Sequence, residues 1–381
     1  MSVADIVDLE EWLHENATRI SGLTDFGDTA YRDGLRVLLG ALNADLQLSK
    51  SARNYAYGWI LGLLIARLHT QKHWAEHPEV LAVPIQRPLV ITGIPRTGTT
   101  ALHRLLSVDS QFQTLEYWLA ATPMIRPPRE KWDAHPLYRA RIASIEAHYG
   151  ETPDLRKSHD MAAAEAEECG IVLMQSFVSG VWSLCQLPTY AQWQRTQSAR
   201  DSYRRYVDVL RLIGADDPGR RWLLKDPFHL ADIDTLLEVF PDACIIHTHR
   251  DPIRAIPSLC NLMHMTRRGL AGEPAQLGPR HCDYWRMALD RTQAAYQKYP
   301  KQFFHVDQRQ LLTEPLDTVR AIYDYFGFTL SRPAEQRMSE WVERQRNSAQ
   351  HEPQYAVDSW GVTAAEIGEI FADYRERHRF G

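Results

Sequence analysis

The sequence predicts an α/β protein: a central parallel β-sheet flanked by helices, with a helical N-terminal extension and a helical insertion between core strands. Three observations predict it. A strand, a glycine-bearing loop and a helical pattern follow one another from Pro88 to Leu106. Three later apolar runs are each followed by a helical pattern, and residues 1 to about 80 carry helical periodicity alone. Strands that alternate with helices build a parallel sheet, because each crossover must return over the sheet before the next strand pairs.

The N-terminal helices show apolar residues at helical spacing: Leu35, Leu38, Leu39 and Leu42, then Ile60, Leu63, Leu64 and Leu68. The longest apolar stretch, Tyr57 to Ala66, is far short of the roughly 20 residues that span a bilayer. It reads as a buried or oligomer-facing helix; the second reading is compatible with a homodimer, and the sequence leaves the oligomeric state open. Leu89 to Thr92 is a short apolar run with two β-branched aliphatics, the mark of a buried strand.

The loop that follows has Walker A spacing, Gly93-x-x-x-x-Gly98, the layout of a P-loop. Backbone N–H groups and a helix N-terminus then face an anion. Thr99 stands where the nucleotide-triphosphate lysine belongs, and the cation sits inside the loop at Arg96.

From about 108 to 218 the pattern is mostly helical with proline interruptions at Pro123, Pro127, Pro128 and Pro136, as expected of an insertion that walls a substrate site. The later strands are Trp222–Leu224, Ala243–Thr248 and Phe303–Val306, and Arg346 to Trp360 reads as a polar, irregular flap. There is no internal repeat. The expected organisation is one domain over 1–381. Its parts are an extension over 1–85, a nucleotide-binding core over 86–330 that contains the insertion, and C-terminal helices and flap over 331–381.

Composition excludes some classes. The chain has 381 residues, 44% apolar and 24% charged, as in ordinary globular enzymes. A net charge of −5 argues against a nucleic-acid partner. The five cysteines are scattered, odd in number and free of C-x-x-C spacing, so reduced thiols in a cytoplasmic protein are expected. The acidic, amphipathic start has no secretory pattern.

A second anchor follows the Ala243–Thr248 strand: Arg250, then Pro252 in the first turn of a helix, then Ser258. Arginine offers the planar fork that phosphate favours, and serine adds a hydroxyl donor. Between the anchors lies Leu224-Lys225-Asp226-Pro227-Phe228-His229. These three ordered blocks resemble sulfotransferases that use 3′-phosphoadenosine 5′-phosphosulfate. Ile94 to Thr100 is similar to the Pro-Arg-Ser-Gly-Thr-Thr loop of tyrosylprotein and many bacterial members, and the Lys-Asp-Pro-Phe block is also similar. The resemblance covers about 88 to 120 and 220 to 330. It is loose in the first 80 residues and in the insertion.

The resemblance implies site roles. Arg96, Thr97, Gly98, Thr99 and Thr100 would hold the 5′-phosphosulfate, and Arg250 and Ser258 the 3′-phosphate. Lys225 would bridge the transferring sulfuryl group and the leaving phosphate. Two residues stand as general base. Glu116 lies as far beyond the loop arginine as the catalytic glutamate of tyrosylprotein sulfotransferases. His229 follows Lys225 by four residues, whereas cytosolic members place a histidine two residues after the lysine, where this chain has Pro227. Some bacterial relatives instead carry the glutamate just after a tryptophan, where this chain has Leu119. Pro257, next to Ser258, is expected to kink its helix and shift the serine. The implied chemistry is in-line transfer to a hydroxyl or amine of a small-molecule, lipid or glycan acceptor, with no metal required.

Other groups read as structure. His247 and His249 share one strand face with no carboxylate or cysteine at ligand spacing, so packing is expected over a metal. Glu165, Glu167 and Glu168 read as a solvated helix face. Of the eleven tryptophans, Trp118, Trp182 and Trp193 fall in the insertion, where aromatics suit an apolar acceptor. Two rival functions remain. One is a P-loop kinase or nucleoside-triphosphate hydrolase, opposed by Thr99 and by the lack of a clear Walker B acid. The other is a non-catalytic nucleotide-binding protein.

Overall fold

The computed structural model describes residues 3–151, 156, 160–267, 269–348 and 357–380. The chain forms two compact units. One comprises Ile85–Thr114, Gly219–Asn261 and Pro274–Gly381, and the other Met1–Pro84, Leu115–Pro218 and Leu262–Glu273.

The first unit holds the sheet. Its strands are β1 (Leu89–Gly93), β2 (Phe112–Thr114), β3 (Arg221–Lys225), β4 (Cys244–His249) and β5 (Phe303–Asp307). All pairings are parallel, in the order β2-β3-β1-β4-β5. Every residue of β1 and β4 is buried, as central parallel strands require, whereas β5 at the edge is only partly covered. Leu89, Ile91, Leu223 and Ile246 share a core with Leu102, Leu105 and Leu106, and with Val319, Ile322 and Phe326 of the helix Pro315–Phe326. Each such side chain contributes about 2 kcal/mol by leaving water. β2 was not expected. At three residues it is too short for periodicity to register, yet it pairs Phe112 with Arg221 and Thr114 with Leu223 at the sheet edge.

The order reverses between β1 and β4. The chain leaves β1 toward β2 on one side and leaves β4 toward β5 on the other. Parallel sheets bind ligands beyond the carboxyl ends of strands at such a point. The loops after β1 and β4 carry Arg96 and Arg250.

The second unit is helical, as expected of its N-terminal part: α1 (Val3–Ser21), α2 (Tyr31–Ala44) and α3 (Lys50–Glu76). The apolar stretch expected to be buried lies in α3, where Ala56, Ile60, Leu63, Leu64 and Ala66 are buried. The helix Arg200–Ile213 hides one apolar face with Tyr203, Tyr206, Val209, Leu210 and Ile213. Arg67, 1% exposed, is held inside this unit. Its guanidinium donates to the carbonyls of Phe26, Asp28 and Gln175 at 3.0–3.3 Å and lies 3.9 Å above the Tyr31 ring.

One local expectation is overturned. Glu165 to Glu168 do not form a helix face. Ala166 makes an antiparallel bridge to Glu116, and Glu167 N–H donates to Leu115 C=O at 2.8 Å, so backbone pairing holds the segment extended. All five cysteines are buried and none is in a disulfide. Among the described residues, no helix is long and apolar enough to cross a membrane. Most of the expected flap, residues 349–356, lies outside the described residues; the helix Arg332–Ser348 precedes it and the turn Val357–Trp360 follows.

Candidate active site

The loop between β1 and the next helix, α4 (Thr99–Ser107), is shaped by two left-handed residues, Arg96 (φ 75°) and Gly98 (φ 92°). A non-glycine residue there costs about 1–2 kcal/mol, so the conformation must be imposed by its surroundings. The Arg96 carbonyl accepts from Arg250 Nη1 at 3.0 Å and from Gln308 Nε2 at 3.2 Å. Successive N–H groups in such a turn make a concave anion cradle that continues into the α4 N-terminus. Gly93 permits close approach: a Cβ there would lie 2.3 Å from Thr248 Oγ1 and 2.7 Å from the Thr248 carbonyl. The Thr97 hydroxyl is 2.6 Å from that of Thr248 and donates to Ile94 C=O at 2.7 Å. Thr99 is buried and Thr100 exposed in the first turn of α4.

Arg96 Nε donates to Ser258 Oγ at 3.0 Å. Thus Arg96 bonds directly to Arg250 through its carbonyl and to Ser258, on the helix Pro252–Thr266, through its guanidinium. The helix Pro252–Thr266 runs on through Pro257, and Ser258, the residue after it, reaches Arg96. Asp251 accepts from Ile253 N–H at 3.1 Å and is clasped by Arg375 Nε at 3.0 Å, which fixes the entry to that helix.

Lys225 ends β3, 2% exposed, where β3 lies in register with β1 (Lys225 beside Ile91). Asp226 then caps the turn Pro227–Leu230 by accepting from Phe228 N–H at 2.7 Å. His229, fully buried, sits in that turn. His103 of α4 is buried in the same unit. Burial first, and the Lys225 charge second, push its imidazole down to about 3.

Glu116 belongs to the helical unit, at the start of the helix Tyr117–Ala121, and is 9% exposed. Arg126 Nε donates to its Oε2 at 3.2 Å, and Arg126 Nη1 donates to Asp216 Oδ1 at 3.1 Å. Trp118, 1% exposed, packs in an aromatic cluster with Trp132 and Tyr138 at ring separations of 5.3 and 5.5 Å.

Against this geometry, the family model described as Sulfotransferase family matches residues 88–332. The chain belongs to the sulfotransferase family. It is therefore a transferase enzyme. A crystal structure of the sulfotransferase STF1 from Mycobacterium tuberculosis H37Rv superposes with a TM-score of 0.87 at 40% identity, covering 95% of this chain and 98% of the other. STF9 from Mycobacterium avium superposes with a TM-score of 0.82 at 26% identity, covering 96% of each. The omega-hydroxy-beta-dihydromenaquinone-9 sulfotransferase Stf3 of Mycobacterium bovis is 27% identical over 306 residues, 76% of each chain.

Three residues of this sulfotransferase's candidate site went unread in the sequence: Thr248, Gln308 and Arg375. Gln308 was the most accessible, since it directly follows β5. Strand ends on the carboxyl side of a parallel sheet are where binding groups collect.

Proposed function

We propose that this sulfotransferase takes its sulfuryl group from 3′-phosphoadenosine 5′-phosphosulfate. One observation carries the reading: Arg96, Arg250 and Ser258 converge at the point where the strand order reverses. Two guanidinium groups, a hydroxyl and a helix N-terminus suit a ligand with two separate phosphates. Gly93 lets β1 lie against Thr248 and Gly98 takes the left-handed turn before α4, which holds the loop in the shape this reading needs.

In this reading the loop from Arg96 to Thr100 holds the 5′-phosphosulfate, and Arg250 with Ser258 holds the 3′-phosphate. Transfer breaks the sulfur–oxygen bond to the 5′-phosphate and forms one from sulfur to the acceptor. Negative charge gathers on the leaving oxygen, where Arg96, Lys225 and loop N–H groups lower the barrier. The acceptor proton passes to Glu116 or His229. No divalent metal is needed, because two fixed cations already face the leaving group. The acceptor is a hydroxylated small molecule, most directly a lipid alcohol, a reading supported by the name of the 27% identical relative.

The test is calorimetric titration with adenosine 3′,5′-bisphosphate and with ATP–Mg²⁺, followed by labelled sulfate transfer onto lipid alcohols, phenols, steroids, sugars and peptides. Tight binding of the bisphosphate supports the donor assignment, and preference for ATP–Mg²⁺ overturns it. Glu116→Gln and His229→Gln identify the base: the variant that keeps bisphosphate binding and loses transfer marks it. Sedimentation of the purified chain tests the homodimer.

A further inference from the structure

A second constellation in the sheet unit belongs to none of these roles. Parallel register places His305 of β5 beside His247 of β4, and His249 stands two residues on along the same strand face. His249 Nε2 and His305 Nδ1 are 2.8 Å apart, and one ring nitrogen from each of the three histidines lies within 4.8 Å of the others. His378 stacks on His249 at 3.8 Å between ring centroids and closes one side.

We propose that His247, His249 and His305 bind one divalent d-block cation of the zinc class. Imidazole is the preferred neutral ligand for such ions, and three imidazoles with an open fourth position are a known zinc arrangement. His247 Nε2 is buried with no hydrogen-bond partner among the described residues, an orphaned lone pair or N–H that packing alone leaves unexplained. His249 Nδ1 is 2.8 Å from the Tyr374 hydroxyl. If Nδ1 donates there, the ring is oriented and Nε2 is left for the ion, the outer partner that metal-bound histidines usually have. With metal–nitrogen bonds of about 2.0–2.1 Å, tetrahedral ligands stand roughly 3.3 Å apart. The His249–His305 pair need open by only about half an ångström to meet that spacing. Binding replaces their shared hydrogen bond, fixes the tautomers and draws any pair standing wider than this spacing, up to 4.8 Å, closer together. The sequence pointed away from a metal because the third ligand comes from another strand, 56 residues beyond His249. The ion takes no part in sulfuryl transfer. It ties β4 to β5 one residue before Arg250.

The full chain is stripped with chelator, incubated with ZnCl₂, desalted and analysed for bound zinc, alongside His305→Gln and His77→Ala, the latter an exposed control. The expected result is one zinc per chain in the wild type and in H77A and none in H305Q. A wild type that retains no zinc, or an H305Q that retains as much, overturns the proposal, as does loss of zinc in H77A. If H305Q does not fold, Co²⁺ substitution of the wild type decides. Intense visible bands of a four-coordinate, nitrogen-bound ion support the site, and the pale spectrum of six-coordinate cobalt overturns it.

Discussion

The two units of this sulfotransferase use arginine in opposite ways. Arg67 in the helical unit is almost wholly buried, and its guanidinium is spent on the carbonyls of Phe26, Asp28 and Gln175 and on the Tyr31 ring. Arg96 in the sheet unit is only half-buried: its guanidinium donates to the Ser258 hydroxyl, and its backbone carbonyl is gripped by Arg250 and Gln308. In one case the side chain supports the fold. In the other the fold supports the side chain, at the expense of a left-handed backbone. On the proposed reading, a charge held the second way serves a ligand, and a charge held the first way serves the fold.

Four measurements can break or sharpen that contrast. Arg96→Ala should lower kcat/KM for sulfuryl transfer by about 10²–10³, as loss of a donor to a developing anion does, with the melting temperature unchanged. A matching loss of stability would erase the distinction. Arg67→Met should do the reverse: about 3 kcal/mol less stability in denaturant titration, from buried carbonyls left without donors, and normal kcat in the folded fraction. The third concerns His103, whose imidazole falls from 6.5 to about 3 on folding. The unfolded chain takes up this proton first, so the stability it lends is complete above pH 6.5 and is lost as pH falls through the window toward 3. At pH 5 the loss is about 2 kcal/mol, and His103→Leu should flatten that part of the stability–pH curve. The smallest effect is that of Ser258→Ala, which removes one hydroxyl. The donor KM should rise about tenfold, equivalent to about 1.4 kcal/mol, with kcat unchanged; a fall in kcat instead would place Ser258 nearer the reacting atoms.

The contrast also explains what could be read in advance. Arg96 was legible because Pro95, Gly98 and a preceding apolar run announce its environment locally. Arg67 lies in helical sequence where nothing distinguishes a buried guanidinium from a solvated one, and its partners are 39 and 108 residues away for Asp28 and Gln175. β1, β3, β4 and β5 announced themselves by apolar runs, to within a residue or two at their ends. β2 gave no such signal because the sheet, not its own sequence, selects three residues for the edge. Glu165 to Glu168 looked helical for a similar reason: their extended form is set by pairing with the segment around Glu116. Gln308, Arg375 and His305 act through partners on other strands and helices, and no window of sequence contains them together.

The clasp of Arg375 on Asp251 has a consequence for how the protein is made. The groups that steady the loop around Arg96 are synthesised late, first Arg250, then Gln308, with Arg375 last of all. At roughly 5–20 residues per second, a growing chain carries that loop for on the order of tens of seconds before its final brace exists. During translation the loop is thus a strained turn without its supports, and on the proposed reading the anion cradle is complete only when the last helix docks.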